Sequence, residues 1–194
     1  MRLGTFGGTF NPIHLGHLLQ AETARETLAL DRVLFIPVGS PPHKRSRDLA
    51  PGAVRMALIE LAIRDHPAFV ASDIELARPG PSYSIETVRC LRRQLPTATL
   101  FLLIGEDMLE VRWRAWDELR RLCTLAAAHR PESPPASCRG VRWLPMPQLA
   151  IASSDIRKRL AAGRSIRYLV PSAVERYIRQ HQLYQRAALT RRPI

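Results

Sequence analysis

Short apolar runs alternate along this chain with longer stretches whose apolar residues recur at helical spacing. Residues 2–6 (RLGTF) read as a first strand. Residues 15–30 follow as a helix, with Leu18, Leu19, Ala21, Ala24 and Leu28 near one face. RVLFIP at 32–37 predicts a compact strand, 39–50 a loop, and 51–65 a helix opening on Pro51, a residue suited to a first helical turn. A short strand is expected at 69–72, a helix at 84–94, a buried strand at 99–104 (TLFLLI), and one or two helices within 106–122. A strand at 124–128, a loop rich in proline and serine at 131–139, and a last strand at 141–144 come next. Two helices, 154–162 and 171–181, close the pattern, and the end after Tyr184 is expected to fray.

Strand–helix alternation implies an α/β fold: a Rossmann-like doubly wound parallel sheet with helices on both faces. A small helical part over about 153–184 would complete a single domain spanning 1–194, a length that suits one core. In such sheets ligands bind beyond the C-terminal strand ends, where the strand order switches. That rule groups three segments: the loop after the first strand, the loop after RVLFIP and the loop after TLFLLIG. No internal repeat or low-complexity segment interrupts the pattern.

Composition narrows the partners. Hydrophobic residues make up 46% and charged residues 24%, a globular balance. Lysine and arginine outnumber acids by 29 to 17, a net +12, which favours anionic partners without choosing among them. Aromatics are only 6% and no RNA- or DNA-binding motif appears, which argues against nucleic acid. Cys90, Cys123 and Cys138 form no CxxC pair, so neither a disulfide nor a zinc framework is expected, and a reduced, cytoplasmic setting is the simplest reading. MRLGTFGG runs straight into the first strand without a leader-like apolar stretch, so no secretory signal is expected. The apolar run around 100–104 is far too short to span a membrane.

The chemistry concentrates first in GGTFNPIHLGH, residues 7–17, between the first strand and the first helix. Glycines there let a backbone approach a ligand, and unpaired N–H groups favour anions. The stretch matches neither the Walker loop nor GxGxxG. His14 and His17, three apart at a helix start, can share a face. Zinc would need a third ligand, and His43, His66, His129 and His181 have no ligand-like spacing to the pair. A turn cap plus a packed ring is the plain alternative; a pair that stabilises phosphate fits the glycines and the charge better. Further on, Ser153 and Ser154 suit the N-cap and first turn of a helix, where N–H groups and the helix dipole favour phosphate. Arg157 follows about one turn later with a fork that can take two phosphate oxygens. The competing reading is an ordinary capped, solvated helix.

GGTFNPIHLGH resembles the first signature of the nucleotidylyltransferase superfamily, whose HxGH histidines lie on bound triphosphate; here it is His14-Leu15-Gly16-His17. The second signature, ISSTxIR, resembles Ile151-Ala152-Ser153-Ser154-Asp155-Ile156-Arg157, with Ala152 replacing the usual first serine and Ser154 the usual threonine. Pro41-Pro42-His43-Lys44, the run RPGPSYSIET at 78–87, Gly105-Glu106-Asp107, the tryptophans Trp113 and Trp116, and SIRYLVPSAVERYI are similar to the nicotinate-mononucleotide adenylyltransferase branch. Phosphopantetheine adenylyltransferases resemble this chain at the two signatures but not at RPGPSYSIETV or the tryptophans.

The resemblance implies adenylyl transfer from ATP to nicotinate mononucleotide, giving deamido-NAD and pyrophosphate. It implies His14, His17, Lys44 and Arg157 as the catalytic set. ATP would meet Gly7, Gly8, Thr9, Phe10, Gly105, Asp107, Ile151, Ser153 and Ser154. The acceptor would meet Lys44, Tyr83, Thr87, Trp113 and Arg130, with backbone N–H groups near 84–87 facing its carboxylate. Mg²⁺ would ride on the ATP phosphates and water, with no dedicated metal ligands in the protein. No nucleic-acid or membrane partner is expected; a homo-oligomer is compatible with the sequence. Asn11 has no assigned role.

Overall fold

The computed structural model describes residues 1–41, 49–109, 111, 113–128, 140–147 and 149–185. Its elements run β1 (Arg2–Gly8), α1 (Leu15–Thr27), β2 (Arg32–Pro37), α2 (Gly52–Ile63), β3 (Phe69–Ala71), α3 (Ser84–Gln94) and β4 (Thr99–Gly105). After a single 3₁₀ turn (Glu106–Met108) come α4 (Trp116–Leu122), β5 (Thr124–Ala128), β6 (Val141–Leu144), α5 (Ser153–Ala161) and α6 (Ser172–Gln180). The six strands form one parallel sheet in the order β3-β2-β1-β4-β5-β6. The chain is a Rossmann-like α/β fold, as its alternating pattern predicts.

The sheet is buried on both faces, which is why its strands read as unbroken apolar runs. Along β4, Phe101 and Leu103 enter one core with α1, α2, α5 and α6, while Leu100, Leu102 and Ile104 enter a second core with α3 and α4. The period of two thus sorts one apolar string into two cores. β1 lies between β2 and β4, with Phe6 opposite both Phe35 and Leu103. The strand order therefore reverses at β1, and the loops after β1, β2 and β4 open on one edge.

Several boundaries differ from the sequence reading. β1 runs two residues further, pairing Gly7 with Ile36 and Gly8 with Pro37, so the two glycines are the end of a strand and not a free loop. α1 stops at Thr27 because Ala29 turns left-handed (φ 46) and the Leu30 N–H returns to Arg25 O at 2.8 Å. Leu28 and Leu30 still fill the core from the turn, which is what made them look helical. The 106–122 region splits because Ala115 sits at φ 52 before α4. α5 begins at Ser153, with Ala152 at the cap position instead of Ser153. Pro51 likewise occupies the position before α2. The expected loop at 131–139, with Cys138, and the tail from 186 onward lie outside the described residues. Among the described residues no helix is long and apolar enough to cross a membrane.

Gly39 and Ser40, just after β2, are clamped against the segment leading to α3. A Cβ on Gly39 would stand 2.4 Å from the Glu75 backbone oxygen, and both the Gly39 and Ser40 N–H groups donate to Ser82 Oγ. Gly39→Ala should therefore force backbone apart and cost about 1–3 kcal/mol, read as a lower denaturant midpoint. An unchanged midpoint would show that this clamp gives freely.

Candidate active site

The turn from β1 to α1 carries the first group of candidates. Gly7 opens it, and a Cβ there would meet nothing within 4 Å, so its outer side is space a ligand can use. Gly8 is packed differently: a Cβ would lie 3.0 Å from the Phe10 ring. Phe10 holds a left-handed backbone (φ 45), which a bulky residue adopts only when packing enforces it. Here its ring, 1% exposed, is wedged edge-on against Phe6 at 5.5 Å and His17 at 5.0 Å, and tilted against Phe35 at 5.9 Å. What Phe10 can offer a nucleotide is thus its backbone. Thr9 remains partly exposed beside it.

His14 is the residue before α1 and His17 its third residue, so the two rings stack, with centroids 3.6 Å apart and planes at 23°. Gly16 leaves room between them: a Cβ there would sit 3.1 Å from His14 Nδ1 and press on its ring. Stacked rings point their nitrogen lone pairs side by side, not at a common centre. Among the described residues no group of three His, Cys, Asp or Glu gathers to hold a metal. The His14 N–H donates to His17 Nδ1 at 3.2 Å, which leaves that nitrogen unprotonated and places the proton of the neutral ring on Nε2, a donor. Burial pushes the His14 pKa down to about 4; burial, and then the neighbouring His14, holds His17 well below its ordinary value. At neutral pH both rings are uncharged hydrogen-bond donors.

The second signature closes on the first. Ser153 Oγ donates to Pro12 O at 2.9 Å, and Arg157 Nη1 donates to Asn11 O at 2.8 Å. Ile151 belongs to the same contact, since a Cβ on Gly16 would stand 3.9 Å from its carbonyl oxygen. With Ala152 before the helix there is no side-chain cap, so the first N–H groups of α5, at Ser153 and Ser154, have no partner among the described residues. Ser154 itself is exposed. The serines suit the first turn as expected, but Ser153 uses its hydroxyl to hold the other signature in place.

The acceptor candidates lie on the α3–α4 side. Thr87 is buried, and its hydroxyl donates to Glu75 Oε1 at 2.6 Å. Tyr83 precedes α3 and stacks under the Arg114 guanidinium at 4.7 Å. Trp113 is part-buried against the second core, donating its indole N–H to Met108 O at 2.7 Å, with Trp116 5.8 Å away. Gly7 lines a small pocket with Ser84, Thr87 and Glu75, so the β1 end touches both halves of the site. Gly105 ends β4, where Gln20 of α1 donates to Ile104 O at 2.8 Å. Lys44, Arg130 and the side chain of Asp107 lie outside what the structure describes.

Sequence reasoning missed Gln20, Arg55, Glu75 and Tyr184, and left Asn11 without a role. Asn11 Oδ1 accepts from the Ala50 N–H at 3.1 Å and the Tyr184 hydroxyl at 2.8 Å. Arg55 carried only a weak signal: with Glu60 it is one of two charges in the otherwise apolar run GAVRMALIELAI.

Residues 5–159 match the family model described as cytidylyltransferase-like. A Thermus thermophilus protein named a probable nicotinate-nucleotide adenylyltransferase is 46% identical over 188 residues, covering 95% of this chain and all of that protein. A Thermomicrobium roseum protein of the same name is 44% identical over 95% of this chain and 92% of its own length. The chain belongs to the cytidylyltransferase-like family, in its nicotinate-nucleotide adenylyltransferase branch. The Plasmodium falciparum nicotinic acid mononucleotide adenylyltransferase, solved with NaAD, shares the fold at a TM-score of 0.80 and 16% identity over 94% of this chain and 97% of its own.

The depressed histidine values carry a pH prediction. In the unfolded chain His14 takes a proton near 6.5; in the folded chain it resists until about 4. Its contribution to stability is thus complete above pH 6.5 and is lost as pH falls toward 4, on the order of 3 kcal/mol. Urea midpoints should drop more steeply over that window in the native protein than in His14→Asn. Parallel curves would mean that His14 is not held neutral by the fold.

Proposed function

We propose that this protein transfers the adenylyl group of ATP to nicotinate mononucleotide, releasing pyrophosphate and forming deamido-NAD in NAD biosynthesis. The observation that carries this reading is the stacked, neutral His14–His17 pair at the start of α1, with the N-terminus of α5 bonded to the turn before it. Family membership, at 44–46% identity over nearly the whole chain to proteins of that name, supports it.

A phosphate oxygen of the mononucleotide attacks the α-phosphorus of ATP. The bond from that phosphorus to the bridging oxygen breaks and pyrophosphate leaves. The attacking oxygen is already anionic, so the protein need supply no nucleophile; it positions the reactants and meets the charge that builds. His17 Nε2–H and His14 donate to phosphate oxygens without first giving up a charge to solvent. The free N–H groups of Ser153 and Ser154, with the Arg157 guanidinium at their edge, receive the pyrophosphate end; Lys44 and Arg130, which follow β2 and β5 in sequence, complete the set. Gly7, Gly8, Thr9, Gly105, Asp107 and Ile151 frame the nucleotide. Tyr83, Thr87 and Trp113 frame the pyridine ring.

A divalent cation belongs to this chemistry. The donor set of the site, imidazoles, hydroxyls, N–H groups and a guanidinium, suits phosphate and not a cation. The phosphates themselves would carry Mg²⁺, which would supply charge neutralisation there. We further assign the whole of 1–194 to one catalytic domain working in the cytoplasm, with about 153–184 as its helical C-terminal part.

His17→Ala should lower the turnover of pyrophosphate release about 100- to 1,000-fold while the melting temperature moves by only a few degrees. Near-native turnover would remove His17 from the catalytic set. The acceptor is tested by initial rates with ATP and either nicotinate or nicotinamide mononucleotide. A preference for nicotinate is expected. Equal rates would widen the acceptor class, and no pyrophosphate from either would overturn the assignment.

A further inference from the structure

The turn that carries the glycines and histidines is gripped from behind by residues outside the assigned site. Arg55 on α2 is 1% exposed. Its Nη1 donates to Thr9 O at 3.0 Å and its Nε to Ala50 O at 2.9 Å. No acid among the described residues pairs with it. Burying a guanidinium against neutral carbonyls alone is costly, and an unbranched apolar side chain would fill the same space more cheaply. What the arginine adds is its fork, which ties the turn to the lead-in of α2. Tyr184, just beyond α6, completes the grip: its hydroxyl donates to Asn11 Oδ1 at 2.8 Å, beside the Ala50 N–H at 3.1 Å.

Peptide planarity converts this grip into a statement about the opposite face. In a trans peptide unit the C=O and the following N–H point in opposite directions. With Thr9 O drawn to Arg55, the Phe10 N–H is turned away from α2. With Pro12 O drawn to Ser153, the Ile13 N–H is turned away from α5. Neither N–H donates to any described residue. A left-handed residue such as Phe10 (φ 45) also bends successive N–H groups toward one concavity, the geometry that binds anions.

We propose that Arg55 and Tyr184 are positioning residues that hold the β1–α1 turn with the Phe10 N–H presented to the phosphates of ATP. They act through the turn and touch no substrate themselves. The inference rests on the adenylyl-transfer reading for the identity of the nucleotide, and its test is a binding measurement that does not depend on turnover.

The experiment titrates a non-hydrolysable ATP analogue with Mg²⁺ into the full chain by calorimetry, for the native protein, Tyr184→Phe, Arg55→Lys and Arg55→Met. Melting temperatures and the KM for nicotinate mononucleotide are measured in parallel. Tyr184→Phe keeps the ring and loses one hydrogen bond, so analogue affinity should fall about fivefold with an unchanged melting temperature. Arg55→Lys keeps the charge without the fork and should fall at least as far; Arg55→Met should fall furthest. The KM for the mononucleotide should stay within about twofold in Tyr184→Phe, because the acceptor side is built on other elements. Unchanged analogue affinity in Tyr184→Phe and Arg55→Lys would overturn the proposal. So would equal weakening toward both substrates together with a lower melting temperature, which is the mark of a purely structural role. A native protein that binds the analogue but releases no pyrophosphate with nicotinate mononucleotide would defeat the acceptor assignment and leave this inference standing.

Discussion

The arrangement at the strand ends depends on who accepts hydrogen bonds from Ser153 and Arg157. Both donate to backbone carbonyls of the first signature, across 141 and 146 residues of chain. A side-chain pair could not do this as well. Carbonyl oxygens are fixed to the turn itself, so each bond orients a peptide plane and not merely a rotamer. Neither segment is a site alone. The first offers stacked imidazoles on a turn that α1 cannot hold in place by itself. The second offers a helix start whose capping residue, Ala152, leaves its N–H groups open. Bonded together, they bring the stacked imidazoles and the open helix start side by side near the reversal of strand order.

The two histidines gain from this enclosure in a way that isolated histidines would not. Stacked at 3.6 Å beside Phe10, the rings are held neutral at pH 7 by burial and, for His17, by the neighbouring His14. Two adjacent imidazolium ions would repel each other and would bind phosphate in the ground state as well as during reaction. Neutral donors would hold back more of their effect until charge accumulates on the phosphate oxygens, which is the condition for lowering a barrier and not merely tightening binding. The same enclosure makes the fold itself sensitive to acid.

Most of the architecture was legible because the sheet is parallel and doubly covered. TLFLLI must send side chains to two cores, and a run of that kind has few other solutions. The ends of elements were less legible. Leu28 and Leu30 keep the helical apolar spacing after α1 has stopped, since a left-handed Ala29 delivers them to the same core. Ala115 breaks the region before α4 by backbone conformation alone, with no glycine or proline to announce it. That the segments of His14, His17, Ser153 and Arg157 belong together was legible from the two signature motifs, and the structure joins them. Arg55 and Tyr184 were not legible, because the bonds that tie them to the turn, to Thr9 O and Asn11 Oδ1, span distant parts of the sequence. Asn11 had no assignable role for the same reason: its function is to receive bonds from Ala50 and Tyr184.

The acceptor side shows why residue types alone under-determine the substrate there. Thr87, the candidate that looked most like a ligand-binding hydroxyl, spends that hydroxyl on the buried Glu75, whose carboxyl burial holds above its usual range. What the start of α3 leaves open is backbone. The N–H groups of Glu86 and Thr87 already return to Tyr83 O, while those of Ser84 and Ile85 donate to no described residue. Paired N–H donors at a helix start can each meet an oxygen of a carboxylate, but a carboxamide would set its own NH₂ against one of them, leaving two donors face to face. Discrimination of that kind would be carried by the main chain, with Glu75 anchoring Thr87 behind it. It has no signature in side-chain identity at the point of contact, so it has to be sought in the polar cluster that fixes where α3 begins.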